Sequence, residues 1–404
     1  MDEVKSDAFV VTAGMGFDGN EFIDGRVGIV VRAGSIEAVG GEVPAGLAVV
    51  DFGDDACLLP GLVDTHTHLA FDAGTDPVGS ALAASDTELY DTMRRAAQRA
   101  VRAGVTTVRD LGDRNFLSLR LRDELAENIT GGPEILASGP PITTPGGHCH
   151  FLGGETAPVA AELVAAVQER HRRGCAVVKI MVSGGNITPG SLPYESQYTR
   201  EQLRVVVDEA HRLGLPVAAH VHGLTAIEDA VAAGVDSIEH VTFMTSDGND
   251  PQPRLLAAIA ASDTVVSATL GFEPEGMSAM MARLPPELAK RADSVHHAQD
   301  AAMRGFLEYG VRVTVGTDAG VAEPKPHDVL PYGVVELERY GWTALDALRI
   351  VTKDAADLCG VAGRKGELTV GADADLLVVH DNPLKDLQRL RAVRGVFRLG
   401  KRVS

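Results

Sequence analysis

Apolar, strand-like runs recur eight times between residues 58 and 320, and a helical pattern follows most of them. The runs are "LLPGLVDTHTH", "GVTTVRDLG", "PEILASGPPI", "CAVVKIMVSGG", "LPVAAHVHG", "DSIEHVTF", "DTVVSATLG" and "VRVTVGTDAG". Stretches such as "TELYDTMRRAAQRAVRAG" and "TREQLRVVVDEAHRLG" carry apolar residues at three- and four-residue spacing, the period of a helix with one buried face. Eight strand-then-helix units predict an α/β chain closed into a (β/α)8 barrel. A doubly wound sheet is the alternative. No GxGxxG follows an early strand, which weakens a dinucleotide reading of such a sheet.

The two ends of the chain follow a different rhythm. Residues 7 to 55 and 366 to 402 alternate short apolar runs with turns, the pattern of a β-meander. The ends are therefore expected to pair as one small β-sandwich domain, 1–57 with 361–404, around a catalytic barrel at 58–360.

Composition narrows the partners. The net charge of −19 repels phosphate backbones and anionic lipid surfaces, so neither nucleic acid nor membrane is an expected partner. No apolar span of about 20 residues is present. The opening "MDEVKSDAF" is too acidic and too poor in apolar residues for a signal peptide. The four cysteines (Cys57, Cys149, Cys175, Cys359) form no C-x-x-C pair and read as reduced thiols of a cytoplasmic protein. A small-molecule substrate is expected, and a homo-oligomer is compatible with the chain.

In such a barrel the chemistry gathers at the C-terminal ends of the strands. Five of the eight strands end in a residue able to bind metal. The first gives His66 and His68, which share a direction because residues i and i+2 of a strand point to the same side. The fourth gives Lys179, the fifth His220, the sixth His240 and the eighth Asp318. Any one of these has a bland reading, as a hydrogen-bonded core histidine or a helix-capping Asp. Together they converge on one rim. Lys179 is the anomaly, because an ammonium inside an apolar strand is costly without a partner. Carbamylation by CO2 would turn it into a metal-bridging carboxylate. An ordinary lysine reaching a substrate carboxylate is the competing reading.

The H-x-H pair, the strand-four Lys, the two later His and the strand-eight Asp resemble the amidohydrolase superfamily. "PGLVDTHTH", "GVTTVRDLG", "SIEH" and "GTDAG" make the chain look like its imidazolonepropionase-like and prolidase-like branch. The resemblance implies two divalent metal ions, zinc by expectation. His66, His68 and Asp318 would hold the first, and His220 and His240 the second. Carboxylated Lys179 and a hydroxide would bridge them. It implies hydrolysis of an amide-type C–N bond in a dipeptide or N-acyl amino acid, with Asp318 moving the proton. Carbamates, ureas, cyclic amides and lactones are the alternatives on the same centre. A non-catalytic scaffold relative is disfavoured because every ligand is present.

Dipeptide-cleaving relatives carry Tyr two residues after the strand-five His. Here that position is His222, which becomes the candidate donor to the substrate carbonyl. The His-x-x-Glu of the superfamily's mononuclear deaminases is absent, since Gly223 stands three residues after His220. The Gly-rich loop "TPGGHCHFLGG" offers His148 and His150 to substrate. "SGGN" offers backbone donors at Gly184 and Gly185, and His327 is a further rim candidate. His171, His211, His296, His297 and His380 read as bland.

Overall fold

The computed structural model of the chain describes residues 8–40, 44–285 and 299–404. Eight parallel strands carry the eight apolar runs. They are Leu62–Thr67, Val105–Asp110, Glu134–Ala137, Val178–Met181, Val217–Gly223, Ser237–Thr245, Val265–Thr269 and Val313–Gly316, numbered here one to eight. Strands one to three form one sheet and strands four to eight another. Single parallel bridges join the two into a ring: Ile142 to Ile180 beside strand four, and Thr67 to Ala319 between strands one and eight. The second junction is tied by His68 N–H to the Ala319 carbonyl (3.0 Å) and Asp318 N–H to the His66 carbonyl (2.7 Å). Among the described residues the expected (β/α)8 barrel is present.

Local chemistry explains the helices between the strands. The first long one, Asp86–Arg102, starts at a capping box. Ser85 Oγ accepts from Glu88 N–H while the Glu88 carboxylate accepts from Ser85 N–H. The helix Arg200–Arg212 begins the same way, with Thr199 and Gln202. Both bury one apolar face, Leu89, Met93, Ala97 and Val101 in the first and Leu203, Val206, Val207 and Ala210 in the second.

The chain ends pair as expected. A six-stranded sheet joins Met15–Phe17 and Ala56–Pro60 to Leu376–His380 and Val393–Arg398, with Ala56–Pro60 and Leu376–His380 paired antiparallel at the seam. A four-stranded sheet from residues 8–51 faces it. Val11, Ile29, Ile36, Leu58, Leu376 and Phe397 fill the space between them. A buried charge cluster ties this sandwich to the barrel. Lys365, 1% exposed, lies 2.6 Å from Asp375, 2.8 Å from Asp373 and 3.1 Å from Glu134 of strand three. No helix among the described residues is long and apolar enough to cross a membrane.

Candidate metal centre

Asp64 explains how the first strand delivers its histidines. Its buried carboxylate accepts from His66 N–H (3.1 Å), from Thr317 N–H (3.0 Å) and from Thr317 Oγ1 (2.6 Å). One side chain thus locks strand one to strand eight just below the rim. Gly316 permits that approach, because a Cβ there would stand 2.3 Å from the His66 Cβ. His66 and His68 then face each other with Nε2 atoms 3.2 Å apart. Asp318 Oδ1 lies 3.5 Å from the first Nε2 and 3.4 Å from the second.

A second group stands beside it. His220 Nδ1 is 2.9 Å from His240 Nε2, and the His222 ring stacks on His240 at 4.7 Å. The two groups meet where the rings of His66 and His240 approach to 5.0 Å. Each supplies three donor atoms within 4.8 Å of one another: His66, His68 and Asp318 in one, His220, His222 and His240 in the other. His240 and Asp318 both hold positive φ, 69° and 55°. Such backbone costs on the order of 1–3 kcal/mol per residue and clusters at functional sites.

The hydrogen bonds decide what these groups fit. His66 Nδ1 faces Glu239 Oε2 at 2.9 Å, so it carries the proton. His68 Nδ1 faces the Gly112 carbonyl at 3.4 Å. Both Nε2 atoms are therefore left with lone pairs aimed at each other and at a carboxylate. The same holds opposite. His220 Nε2 donates to the Gly184 carbonyl (3.1 Å), leaving Nδ1 as an acceptor, and Thr269 Oγ1 meets His240 Nδ1 at 3.1 Å. Converging lone pairs repel unless a cation lies among them. Imidazoles whose other nitrogen is held by a carboxylate or carbonyl are the usual surroundings of a metal. Burial pushes His66 and His222 down to about 4, so both are neutral at pH 7; for His66 that is the state a ligand needs.

Lys179 is 1% exposed, and its Nζ has no hydrogen-bond partner. Burial pushes its amine down to about 8. Lys179 stands on strand four beside strand five, where Met181, two residues on, pairs with His220.

The other candidates divide. His148 is 3% exposed and its ring lies 4.6 Å from that of His220. Gly185 makes room for it, because a Cβ at 185 would stand 2.3 Å from the ring. Gly184 touches the centre through the carbonyl that receives His220. His327 Nε2 donates to the His68 carbonyl (3.1 Å), supporting strand one from behind. His150 turns back to its own loop, with Nδ1 3.0 Å from the Gly147 carbonyl. Of the bland histidines, His211 pairs with Asp236 at 2.8 Å and His380 with Asp55 at 3.4 Å. His171 lies in the helix Ala160–Arg173, while His296 and His297 lie outside the described residues.

Sequence reasoning passed over Glu239, Arg109, Thr242 and Lys325. Thr242 Oγ1 sits 2.8 Å from His222 Nδ1, and Lys325 Nζ donates to the Thr317 carbonyl at 2.6 Å, one residue before Asp318. A signal was present for two of them, since Arg109 and Glu239 are charges inside otherwise apolar strands, as Lys179 is.

The sequence pattern of the amidohydrolase family matches residues 57–403. The ochratoxinase of Aspergillus niger is 29% identical over 373 residues, covering 85% of this chain and 75% of that protein. The imidazolonepropionase of Mesorhizobium japonicum is 25% identical over 406 residues, covering 91% and 88%. A solved Xaa-Pro dipeptidase with methionine in its active site superposes with a TM-score of 0.85 at 27% identity, covering 98% of this chain and 99% of that one. The chain belongs to the amidohydrolase family, in its imidazolonepropionase-like and prolidase-like branch, and is a hydrolase of C–N bonds.

Proposed function

We propose that the chain cleaves an amide-type C–N bond of a small substrate, a dipeptide or an N-acyl amino acid, on a centre of two zinc ions. The observation that carries this is the pair of adjoining donor groups, with a buried, unpartnered Lys179 Nζ on the strand beside that of His220. His66, His68 and Asp318 would hold one ion and His220 and His240 the other, with Lys179 as a carbamate between them. Bound there, the ions would polarise the scissile carbonyl and acidify a water.

The side chains supply the rest. Asp318 is set to take the proton of the attacking water on a carboxylate oxygen and return it to the leaving nitrogen. Burial alone would raise its pKa, but the groups around it, buried Lys325 among them, outweigh that and hold it well below the usual carboxylate range. His222 is neutral, and with the Thr242 hydroxyl donating to its Nδ1 its Nε2–H is free to hydrogen-bond the carbonyl oxygen. His148 is placed to meet a polar group of the substrate beside His220.

Elemental analysis of protein purified without chelator is expected to find more than one equivalent of divalent metal per chain. Less than half an equivalent with activity intact sinks the two-metal reading. His222→Ala is expected to lower kcat at unchanged metal content, by the ~2.7–4 kcal/mol that one such donor supplies. An unchanged kcat/KM on every active substrate would remove His222 from the chemistry. His222 in place of tyrosine also keeps a carbamate, urea or cyclic amide in view as substrate. Activity of the zinc-loaded protein on dipeptides, N-acyl amino acids and carbamates separates these; cleavage of carbamates alone would overturn the amide assignment.

A further inference from the structure

Beneath the rim, the barrel interior holds a charged chain that spans its width. Glu239, on strand six, is fully buried. Its Oε2 accepts from His66 Nδ1 (2.9 Å), and its Oε1 accepts from Ser237 Oγ (2.6 Å) and from Arg109 Nη2 (3.0 Å). Arg109, on strand two, is 1% exposed. Its Nη1 donates to Ser237 Oγ (3.2 Å), and its Nε donates to the Thr65 carbonyl (2.6 Å), one residue before His66. So Arg109 grips the backbone that carries His66 while its other arm holds the carboxylate that orients the His66 ring.

Stability alone is a weak reason for such a pair. Desolvating each ion costs several kcal/mol, and well-packed apolar residues of similar volume are often as good or better. The placement suggests another reason. The chain runs Arg109, Glu239, His66, and it ends with a lone pair on His66 Nε2 aimed at His68 and Asp318. Arg109 Nη2 at 3.0 Å sets an opposite charge against the Glu239 carboxylate, whose other oxygen is left to His66 Nδ1 at 2.9 Å. An ionised acceptor fixes the proton of His66 on Nδ1 and adds electron density at Nε2.

We propose that Arg109 and Glu239 are positioning residues of the metal centre: Glu239 fixes the tautomer and basicity of His66, and Arg109 holds the Glu239 carboxylate in place and strand one in register. This rests on the two-metal reading above. Ser237 completes the arrangement by satisfying the Oε1 side of the carboxylate without competing for His66.

The test compares wild type, Glu239→Gln and the double variant Glu239→Gln with Arg109→Met. Glu239→Gln keeps the shape and an acceptor for His66 but leaves Arg109 as a buried uncompensated cation. The double variant removes both charges, so it decides the question if the single variant does not fold. Each is stripped of metal and titrated with zinc against a chelator, and each is loaded with cobalt(II) for its visible spectrum. The melting temperature of the metal-free protein is measured beside these. The expected result is a 10- to 100-fold loss of zinc affinity in both variants, the range typical of removing an outer partner of a ligating histidine. A shifted cobalt spectrum should accompany it. A merely structural pair would lower the metal-free melting temperature and leave affinity and spectrum unchanged, which would overturn the proposal. A wild type that takes up no divalent metal would overturn the two-metal reading and this inference with it. A metal-loaded wild type whose variants bind equally well would overturn this inference alone.

Discussion

Asp318→Asn is expected to remove nearly all turnover while substrate still binds. The substitution changes little in size, and Asn tolerates the left-handed backbone that residue 318 adopts at φ 55°. What it removes is the negative charge between two imidazole lone pairs and the only oxygen pair at that position able to accept a proton. The surroundings are built for a carboxylate. Buried Lys325 stands close enough to favour the anion, and His66 and His68 bring their Nε2 atoms to 3.5 and 3.4 Å of Oδ1, where a shared cation would draw all three together. A general acid/base supplies ~10²–10⁴-fold, so kcat should fall by at least that much. Loss of a ligand adds to it. Steady-state kinetics with metal content measured on the same sample checks this. A fully metallated Asn variant that keeps more than about a tenth of the activity would contradict the proton-carrying role.

Much of this site was legible in the sequence because strands encode direction. His66 and His68 share a side by the two-residue period alone, and the structure brings their Nε2 atoms to 3.2 Å. The order of strand ends around a barrel rim likewise gathers Lys179, His220, His240 and Asp318 from a purely linear reading. The architecture was legible for a related reason. The apolar runs are bounded by glycines or by polar turns, and several helices start at a capping residue such as Ser85 or Thr199, so local and global signals agree.

What the sequence hid is what depends on partners from distant strands. Arg109 and Glu239 lie 130 positions apart and meet only across the barrel. Each is visible as a charge in an apolar run, but neither announces which group neutralises it. His150 and His148 show the same limit at short range. They sit two residues apart in one Gly-rich loop, yet one ring reaches His220 and the other turns to the Gly147 carbonyl. No strand imposes a period there. Loop geometry, set by Gly185 and the Gln197 side chain that receives His148 N–H at 2.7 Å, makes the choice.

Lys179→Ala is expected to lose metal and activity together, and short carboxylates such as formate or acetate should restore part of both. The argument starts from the cost of the residue as encoded. Val177, Val178, Ile180, Met181 and Val182 flank it, all buried, and its Nζ finds no hydrogen-bond acceptor. An ammonium held there would face two divalent ions across a dry interior. Carbamylation removes the conflict: the neutral amine attacks CO2, an N–C bond forms, and a proton leaves to solvent. The product carries one negative charge and two oxygens, enough to touch both metal positions. Only the neutral amine reacts, and burial favours that form. With the amine pushed down to about 8, roughly a tenth is neutral at pH 7, against well under a thousandth at an ordinary lysine value. Removing the side chain leaves a cavity that includes the place of the missing carboxylate, which is why an added carboxylate can substitute. The measurements are metal content and turnover of the Ala variant across a formate series, with electron density of the wild type at high resolution. An unmodified lysine in a fully metallated, active enzyme would refute the carbamate. It would point to a single-metal site, with the Lys179 ammonium aimed at a carboxylate of the substrate.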